Sequence, residues 1–450
     1  MRRLKCLIIF ILPALLLGCF KPPAPRPPVY LILIDTLRID ALSCYGGKRP
    51  TPALDRFAAS AVVFDHCYAP SSWTVPSVAS VWTGLYPFHH GVNKAAALGM
   101  RVISQQTLSV GYTTIAEVFK ASGYNTYGVS ANGHTASEYG FAQGFDMFAN
   151  HSFADKTLVA QSWAGIAPRV AAAQRIKLPT FVMLFFFDPH HPYVPQEPYI
   201  GRYCPDWEKL GEPMVTTAMF DLIHRGYFKK HPEAVEVARA MYDSEVAALD
   251  AYLGELLPTL PGYDNAWVLI FGDHGESFGE NGSMIHGNNL RQPEVHVPFM
   301  IKLPRNQRGG TRLAAPVSLV DVLPTLAALI AAPQPPQMDG VSLLPLLAGR
   351  PLPSRLLFLH IDLPWAHERA MVQWPFKIIR AKNQPLAVFD LASDPAESEN
   401  LAQEKKDLLI AWARALDQGA RDNVRIPPRV ITGDMPPEIR DQLRNLGYLR

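Results

Sequence analysis

The sequence predicts an α/β protein in which a mostly parallel sheet is covered by helices on both faces and is followed by a smaller C-terminal α+β subdomain. Three continuous apolar runs of strand length, each ending in aspartate, are the main evidence for the sheet. They are VYLILID (29–35), FVMLFFFD (181–188) and AWVLIFGD (266–273). Because ligands of such sheets bind beyond the carboxyl ends of the strands, we expect Asp35, Asp188 and Asp273 to lie near a binding site.

Helices and further strands alternate with these runs. Apolar residues at helical spacing predict helices in TPALDRFAAS (51–60), in TTIAEVFKASG, which Gly123 closes, and from about Pro232 to Leu257. AVVFDHCYA (61–69) and NTYGVSA (125–131) are predicted strands. The alternation is typical of a sheet with crossover helices.

The chain changes character after the proline-rich AAPQPPQ. MVQWPFKIIRA (371–381) and PLAVFDLASD (385–394) predict neighbouring strands, and 399–419 predicts a closing helix. We therefore expect a main domain at 29–350 and a C-terminal subdomain with its tail at 351–450.

The length and composition limit the classes of protein to which the chain can belong. At 450 residues and 48% hydrophobic content, the chain can form two or three domains with a large buried core, which excludes general disorder. A formal net charge of +2 gives no reason to expect a nucleic-acid partner. Only Cys44, Cys67 and Cys204 lie beyond the N-terminal segment, so a disulfide framework is excluded, and the sequence does not predict whether two of them pair.

The first 28 residues predict export and attachment to a membrane. A basic MRRLK precedes CLIIFILPALLLG, which is too short to span a bilayer comfortably and predicts a signal peptide at 1–19. The segment ends in LLGC, which resembles the cleavage box of bacterial lipoproteins, so Cys19 would carry the lipid. Residues 20–28 would form a semi-rigid tether, and Phe20 favours the outer membrane. An ordinary signal peptide or an uncleaved anchor is the alternative.

The segment SSWTVPSVASVWTG (71–84) predicts a helix that begins near Pro76 and stops at Gly84. Thr74 would lie just outside its N-terminus, where backbone N–H groups and the helix dipole favour an anion. The simplest interpretation of Thr74 is an N-cap residue. The alternative is a nucleophile, which needs partners from elsewhere in the chain.

Four segments supply side chains that suit a divalent cation. They are Asp35 in DTLRID, Thr74, Asp188 with His190 in FDPHHPY, and Asp273 with His274 in GDHGE, which His286 follows. Oxygen donors with one imidazole suit Mg²⁺, Mn²⁺, Ca²⁺ or Zn²⁺. A cation that touches the Thr74 hydroxyl would lower its pKa, and His190 or His286 could protonate a leaving group or hold an oxyanion.

Each of these residues also has an ordinary structural explanation. Asp35 would cap the next element, and GDHGE alone would be a turn. A proline turn accounts for DPHHPY and leaves His191 exposed. Taken singly, His286 and His296 are typical polar or core histidines.

The order of the motifs resembles the sulfatase family of the alkaline-phosphatase superfamily. The motifs are LILIDTLRIDALSCYG, APSSWTVPSVASVWTGLYPFHHGV, FFFDPHHPY, GDHGESFGENG and VPFMIKLP. VFDLASDPAESENLA and the terminal LRNLGYLR are similar to that family's C-terminal elements, so the resemblance covers nearly all of 29–450. It implies a large mixed sheet flanked by helices, a smaller C-terminal subdomain and one divalent cation, Ca²⁺ by resemblance.

The resemblance also implies roles for individual residues. Asp35, Asp273 and His274 would be metal ligands, and Thr74 falls on the position of the nucleophile. His190 would contact the substrate or leaving group. His286 lies where the family offers a cationic substrate contact.

The chain departs from the family at the nucleophile. Sulfatases make formylglycine from Cys or Ser in a Cys/Ser-x-Pro-x-Arg setting, whereas this chain has Thr74 with Val78 in place of the arginine. Thr36 replaces a second acid. Arg291, Gln292, Pro293 and His296 stand where the family often has Tyr, two Glu and Arg. A formylglycine hydrate releases sulfate by elimination, but a threonine ester needs attack by water. Threonine nucleophiles of the superfamily belong to phosphodiesterases, phosphonate hydrolases and phosphoethanolamine-type transferases.

These observations predict a metal-dependent hydrolase of sulfate or phosphate esters, with phosphomonoesters, phosphodiesters or phosphonate esters favoured by Thr74. A glycan or a lipid is a candidate for the organic part. Arg38, Asn93 and Asp188 are weak candidates for substrate binding, and Arg38 serves equally well as a structural ion-pair partner. The alternatives are a catalytically degenerate lipoprotein that binds sulfated or phosphorylated glycans, and a phosphoryl-group transferase.

Overall fold

The computed structural model describes residues 26–98, 101–151, 153, 155–211, 222–223, 225–421 and 423–432. The predicted signal peptide, Cys19, most of the tether and the terminal LRNLGYLR lie outside these residues. Within them, no helix combines the length and the hydrophobicity needed to cross a bilayer. The three cysteines of the described part, Cys44, Cys67 and Cys204, are all unpaired thiols.

Strands and helices alternate along the main domain, and four strands and a helix of the C-terminal part follow it. The strands are β1 Val29–Ile34, β2 Val62–Tyr68, β3 Ala95–Leu98, β4 Arg101–Gln106, β5 Asn125–Ser130, β6 Met147–Asn150, β7 Thr180–Phe186, β8 Trp267–Gly272, β9 Ser277–Phe278, β10 Met284–Ile285, β11 His296–Lys302, β12 Thr311–Leu313, β13 Val317–Ser318, β14 Leu357–Leu363, β15 Ala366–Gln373, β16 Phe376–Ala381, β17 Ala387–Asp390 and β18 Val430–Thr432. The helices are α1 Pro52–Ser60, α2 Thr74–Thr83, α3 Pro87–His90, α4 Ile115–Ala121, α5 Lys156–Arg175, α6 Tyr199–Tyr203, α7 Glu208–Gly211, α8 Tyr227–Lys230, α9 Pro232–Leu256, α10 Gln292–Val295, α11 Val322–Leu329, α12 Leu344–Leu347 and α13 Lys406–Gly419.

The predicted elements are present with small shifts of their ends. The three apolar runs form β1, β7 and β8, and the long predicted helix is α9. The closing helix, α13, begins at Lys406, later than the predicted 399. The reason is a turn that Asn400 holds, because its side-chain oxygen accepts from the backbone N–H groups of Val388 and Ala402.

The large sheet is mixed, and β1 lies near its centre. Its strand order is β12-β2-β11-β8-β1-β7-β5-β6, with β13 also paired to β2. β1 runs parallel to both β7 and β8, whereas β11 is antiparallel to its neighbours β8 and β2. All six residues of β1 are buried, as expected for a strand covered on both faces. Each such aliphatic side chain contributes about 1.5–3 kcal/mol of burial free energy.

A separate antiparallel sheet forms the C-terminal part, in the order β14-β15-β16-β17. Helix α13 packs on it through Trp412, whose ring lies 5.4 Å from that of Phe376. This confirms the predicted fold class, a large mixed sheet with helices followed by a smaller α+β part.

A buried ion pair ties the C-terminal sheet to the main domain. The Lys377 ammonium of β16 lies 2.8 Å from the Glu397 carboxylate, and both side chains are fully buried. The other oxygen of Glu397 accepts from the backbone N–H of Gln292, at the start of α10. Burial lowers the pKa of Lys377 from its usual value, and Glu397 opposes that shift.

We predict that Lys377→Met destabilises the protein by about 3–5 kcal/mol, because the substitution leaves the buried Glu397 charge without a partner. Lys377→Met combined with Glu397→Gln should recover part of the loss, since the glutamine oxygen still accepts from Gln292. Urea unfolding followed by tryptophan fluorescence measures both changes. Lys382→Met, an exposed site in the same sheet, is the control. A loss no larger than that of the control would contradict the prediction.

Candidate active site

The register of the central strands brings two carboxylates together. Ile34 of β1 aligns with Gly272 of β8, so Asp35 and Asp273 follow side by side at the carboxyl end of the sheet. Both side chains are completely buried. This position beyond the strand ends is where α/β sheets bind ligands.

Each of the two carboxylates is hydrogen-bonded on one oxygen and bare on the other. Asp273 Oδ1 accepts from the backbone N–H groups of Thr36 (3.2 Å) and His274 (2.8 Å), and Asp35 Oδ2 accepts from the Asn132 amide (2.5 Å). Asp35 Oδ1 and Asp273 Oδ2 have no hydrogen-bond partner although they are buried. Both bare oxygens lie 3.6 Å from Nε2 of His274. Two oxygens and a nitrogen converge on one point, which fits a divalent cation.

The tautomer of His274 also suits a metal ligand. Its Nδ1 lies 2.9 Å from the carbonyl oxygen of Gly275, so Nδ1 donates and the lone pair is on Nε2. Nε2 is the nitrogen that faces the carboxylates.

Thr74 lies at this same point. It is the first residue of α2, and its Oγ1 lies 3.0 Å from Nε2 of His274. Trp73 is the N-cap of the helix, with no side-chain capping bond, so the N-cap interpretation of Thr74 is wrong. Ser77 anchors the helix to the site, because its hydroxyl donates to the carbonyl of Asp273 at 2.6 Å.

Burial shifts the pKa values of the ligand set. Burial raises the pKa of Asp273 to about 8. It raises the pKa of Asp35 well above its usual value, and the neighbouring Asp273 adds to this shift. Burial lowers the pKa of His274 although Asp35 opposes it. The metal-free site therefore favours neutral side chains, and a cation would stabilise the charged carboxylates.

Three imidazoles adjoin the carboxylates. One ligand atom from each of His190, His191 and His286 lies within 4.8 Å of the other two. The His286 ring lies 4.5 Å from the ring of His274 and 4.8 Å from that of His190. The expectation that His191 is exposed is wrong. It is only 2% exposed, because its ring stacks on His190 at 4.3 Å. Burial lowers the pKa of all three well below the usual value.

Glu276 orients one of these imidazoles, and the sequence analysis missed it. Its Oε1 accepts from Nδ1 of His286 at 2.9 Å, and its Oε2 accepts from the Tyr193 hydroxyl at 3.1 Å. Burial raises the pKa of Glu276 to about 8. The signal was present in GDHGE, where Glu276 follows His274 by two residues.

Asn132 is the second residue that the sequence analysis missed. It comes two residues after β5, which pairs with β7, so it lies at the same edge of the sheet as Asp35. A lone asparagine after a short strand carries no signal for a site.

The weak candidates lie around the site without joining the ligand set. Arg38 pairs with Asp40 at 2.7 Å and with Glu280 at 2.8 Å, which is the structural ion-pair role named as its alternative. Asp188 accepts from the backbone N–H of Lys156 at the start of α5, and the Lys156 ammonium lies 3.5 Å away. Asp188, at the end of its strand, thus holds the first residue of helix α5.

Asn93 and His296 are engaged elsewhere. The Asn93 amide contacts His360 of the C-terminal sheet at 3.4 Å, and His296 Nε2 contacts the carbonyl of Asp65 at 2.9 Å. His296 is thus a half-buried polar histidine, one of the ordinary roles that its sequence position allowed.

Comparison with known proteins places this geometry in a family. A family model described as Sulfatase matches residues 27–332, and one described as N-sulphoglucosamine sulphohydrolase, C-terminal, matches residues 286–416. Steryl-sulfatase of Rattus norvegicus is 25% identical over 93% of this chain and 92% of its own length.

Solved structures share the fold. One, determined in complex with its substrate D-glucosamine-2-N,6-O-disulfate, has a TM-score of 0.71 at 19% identity and covers 88% of this chain and 99% of its own. Phosphonate monoester hydrolase of Agrobacterium radiobacter has a TM-score of 0.69 at 21% identity, covering 88% and 95%. Because the sulfatase family model matches more than half of the residues, the chain belongs to the sulfatase family and is a hydrolase of sulfate or phosphate esters.

Proposed function

We propose that the chain is a metal-dependent hydrolase that uses Thr74 as its nucleophile and prefers phosphate or phosphonate esters to sulfate esters. The observation that carries the proposal is the position of Thr74 Oγ1, 3.0 Å from Nε2 of His274 beside two bare carboxylate oxygens. Neighbouring ligands at about 2.1 Å from one octahedral cation stand about 3 Å apart. The distance between Thr74 and His274 therefore suits two ligands of the same ion.

The donor set indicates which cations the site would hold. Asp35, Asp273 and His274 would be the ligands, with Thr74 beside them. The oxygen-rich set suits Ca²⁺, Mg²⁺ or Mn²⁺, and the imidazole also admits Zn²⁺. Such an ion would lower the pKa of the Thr74 hydroxyl and offset the negative charge of the ester.

The reaction follows from the chemistry of threonine. Thr74 Oγ1 forms a bond to phosphorus, the bond from phosphorus to the leaving alcohol breaks, and the alcohol departs with a proton. Water then attacks the phosphothreonine ester, the bond to Oγ1 breaks, and Thr74 regains its proton. Thr74 is the first residue of α2, where the helix dipole favours a negatively charged phosphoryl group.

Threonine favours phosphorus over sulfur for a specific reason. A formylglycine hydrate carries a second hydroxyl, which expels sulfate by elimination. Thr74 has a single oxygen on its β-carbon, so its ester is cleared only by an external nucleophile. Water can attack the phosphorus of a phosphothreonine ester in this way. One of the similar structures is a phosphonate monoester hydrolase.

We predict that Thr74→Ala lowers the turnover of nitrophenyl phosphodiester and phosphonate esters at least about 10³-fold, because the nucleophile is lost. Thr74→Ser should retain measurable turnover. Thr83→Ala, which removes a buried hydroxyl of the same helix bonded to Ala79, is the matched control. Assays with Ca²⁺, Mg²⁺, Mn²⁺ and Zn²⁺ should include nitrophenyl sulfate. Turnover that survives Thr74→Ala would exclude Thr74 as the nucleophile, and no turnover with any metal would favour the glycan-binding alternative.

We predict that the proton on Asp273 stabilises the metal-free protein, and that this contribution is lost as the pH rises from about 4 to 8. The folded state holds a proton on Asp273, whose pKa is about 8, whereas the unfolded state releases it at about 4. Asp273→Asn removes this charge. In chelator at pH 8 the variant should therefore melt higher than the wild type, by about 1 °C for each kcal/mol recovered in a chain of 450 residues.

With a divalent cation added, the wild type should melt at a higher temperature than Asp273→Asn, because only the wild type keeps both candidate carboxylate ligands. Thermal melts with and without metal, at pH 5 and pH 8, measure this. Asp206→Asn, an exposed carboxylate, is the control. A difference in melting temperature between the wild type and Asp273→Asn that is the same at pH 5 and at pH 8 in chelator would contradict the prediction.

We also propose that lipid on Cys19 holds the exported chain at a membrane, with the outer membrane favoured. The support is the sequence LLGC after a basic and apolar leader. Cys19→Ala should move the protein from the membrane fraction to the soluble fraction and abolish incorporation of labelled fatty acid. Lipid labelling that survives the substitution would contradict the proposal.

A further inference from the structure

The chain enters the large sheet at the end opposite the candidate active site. Pro28 directly precedes β1, and its carbonyl accepts from the backbone N–H of Trp267 at the start of β8. Asp35 follows the other end of β1. Because a strand rises about 3.3 Å per residue, the six residues of β1 hold these two ends about 20 Å apart.

The surface at the start of β1 is here called the entry face. Strands β5, β7 and β8 run parallel to β1 or to its neighbour, so the turns that precede them meet at this surface. Strand β11 is antiparallel to β8, so the turn that follows it lies there as well. The entry face consists of residues 26–28, 121–124, 175–179, 261–266 and 303–306.

Side-chain contacts join the turns of the entry face to the point where the chain enters. The guanidinium of Arg26 lies 5.0 Å from the centre of the Tyr124 ring. Nε2 of Gln174, at the end of α5, donates to the carbonyl of Pro261 at 3.0 Å. The entry face is therefore one continuous surface around Arg26.

Two apolar side chains of the entry face are exposed. Ile176 is 70% exposed and Leu178 is 44% exposed. Their backbone is nevertheless ordered, because the N–H groups of both residues donate to the carbonyl of Ala173. Lys177, between them, has φ of +61°, the left-handed conformation of a tight turn. Exposed apolar side chains with basic residues beside them are the combination with which proteins contact the surface of a bilayer.

Basic side chains outnumber acidic ones on the entry face. The basic residues are Arg26, Arg175, Lys177 and Arg305, and the acidic residue is Asp264. All four basic side chains are exposed, and none is paired with a carboxylate in the part of the chain that the structure describes. The whole chain has a formal net charge of only +2, so its positive charge is concentrated here. Anionic lipid headgroups attract such a surface.

The distance from Cys19 to the entry face is limited by the number of residues between them. Cys19 lies seven residues before Arg26, and seven residues reach at most about 25 Å when fully extended. A lipid on Cys19 therefore keeps Arg26 within that distance of the membrane. The tether alone does not set the tilt of the domain, whereas the charge and the apolar side chains of the entry face do.

We propose that the entry face rests on a surface of anionic phospholipid, with Ile176 and Leu178 among the headgroups, so that the candidate active site opens away from the membrane. The proposal rests on the attachment of lipid to Cys19 proposed above and does not depend on the role of Thr74. Its consequence is that the ester reaches Thr74 from the aqueous side. This favours a dissolved ester, such as that of a glycan, over a lipid of the same membrane.

Photo-crosslinking to lipid tests this orientation. The full lipid-modified chain is reconstituted into vesicles of phosphatidylcholine and phosphatidylglycerol in equal parts, with benzoylphenylalanine in place of Ile176, Val194 or Ile410. Val194 is 53% exposed and follows Tyr193, so it reports on the active-site side. Ile410 is the matched control, because it is 65% exposed and has an exposed apolar neighbour, Leu408, but lies on α13 of the C-terminal part.

We expect crosslinking to lipid from position 176 to exceed that from positions 194 and 410 about tenfold, because only the entry face meets the headgroups. Arg175→Glu combined with Lys177→Glu should lower it severalfold, as should high salt or phosphatidylcholine alone, since each removes the electrostatic attraction. Lys229→Glu combined with Lys230→Glu, two exposed lysines of α8, is the control for charge reversal. Melting curves identify any variant that fails to fold.

Two results would overturn the orientation. One is equal crosslinking from positions 176 and 410. The other is stronger crosslinking from position 194, which would turn the active site toward the membrane and favour a lipid ester. A chain that incorporates no labelled fatty acid would refute the attachment at Cys19 and this proposal with it. A lipid-modified chain that crosslinks equally from all positions would refute the orientation alone.

Discussion

The rest of the site depends on the burial of two adjacent carboxylates at the centre of the sheet. The alignment of Ile34 with Gly272 forces Asp35 and Asp273 together, and each has one oxygen without a partner. Burial raises the pKa of both carboxyl groups because it disfavours their charged forms, and the neighbouring Asp273 raises the pKa of Asp35 further. A divalent cation would stabilise both carboxylates in their charged form. Thr74, at the start of α2, lies next to His274 and therefore close to the point where such an ion would bind.

Much of the fold was predictable because its signals are local. Continuous apolar runs identify β1, β7 and β8, and the aspartates that follow β1 and β8 converge with His274 at the candidate site. Glu276 and His191 were not predictable in the same way. Their importance comes from contacts with His286 and His190, and those contacts exist only once the chain has folded. Asp188 shows the limit of this signal, since a strand-end position alone does not distinguish a residue that binds substrate from one that holds a helix.

Thr36 shows how far the site constrains the backbone as well as the side chains. It follows Asp35 directly and has φ of +52°, a left-handed conformation that is unfavourable for a β-branched residue. In this conformation its N–H reaches Asp273 Oδ1 and its carbonyl accepts from the Tyr242 hydroxyl. The strain therefore fixes which oxygen of Asp273 remains bare. Such strain persists only where surrounding contacts determine the backbone, as they do at functional sites.

The C-terminal part also helps to position a side chain of the candidate site, His286. His286 lies at the start of a segment whose backbone the C-terminal part holds at three points. The carbonyl of Gly287 accepts from the indole N–H of Trp365, and the N–H groups of Leu290 and Gln292 donate to Glu368 and Glu397. Within the loop, Glu294 accepts from Ser277 and Asn289. The position of His286 against His274 is thus set from both domains. Loss of any of the three bonds would therefore reach the site through the backbone next to His286, although the C-terminal part supplies none of the candidate metal ligands.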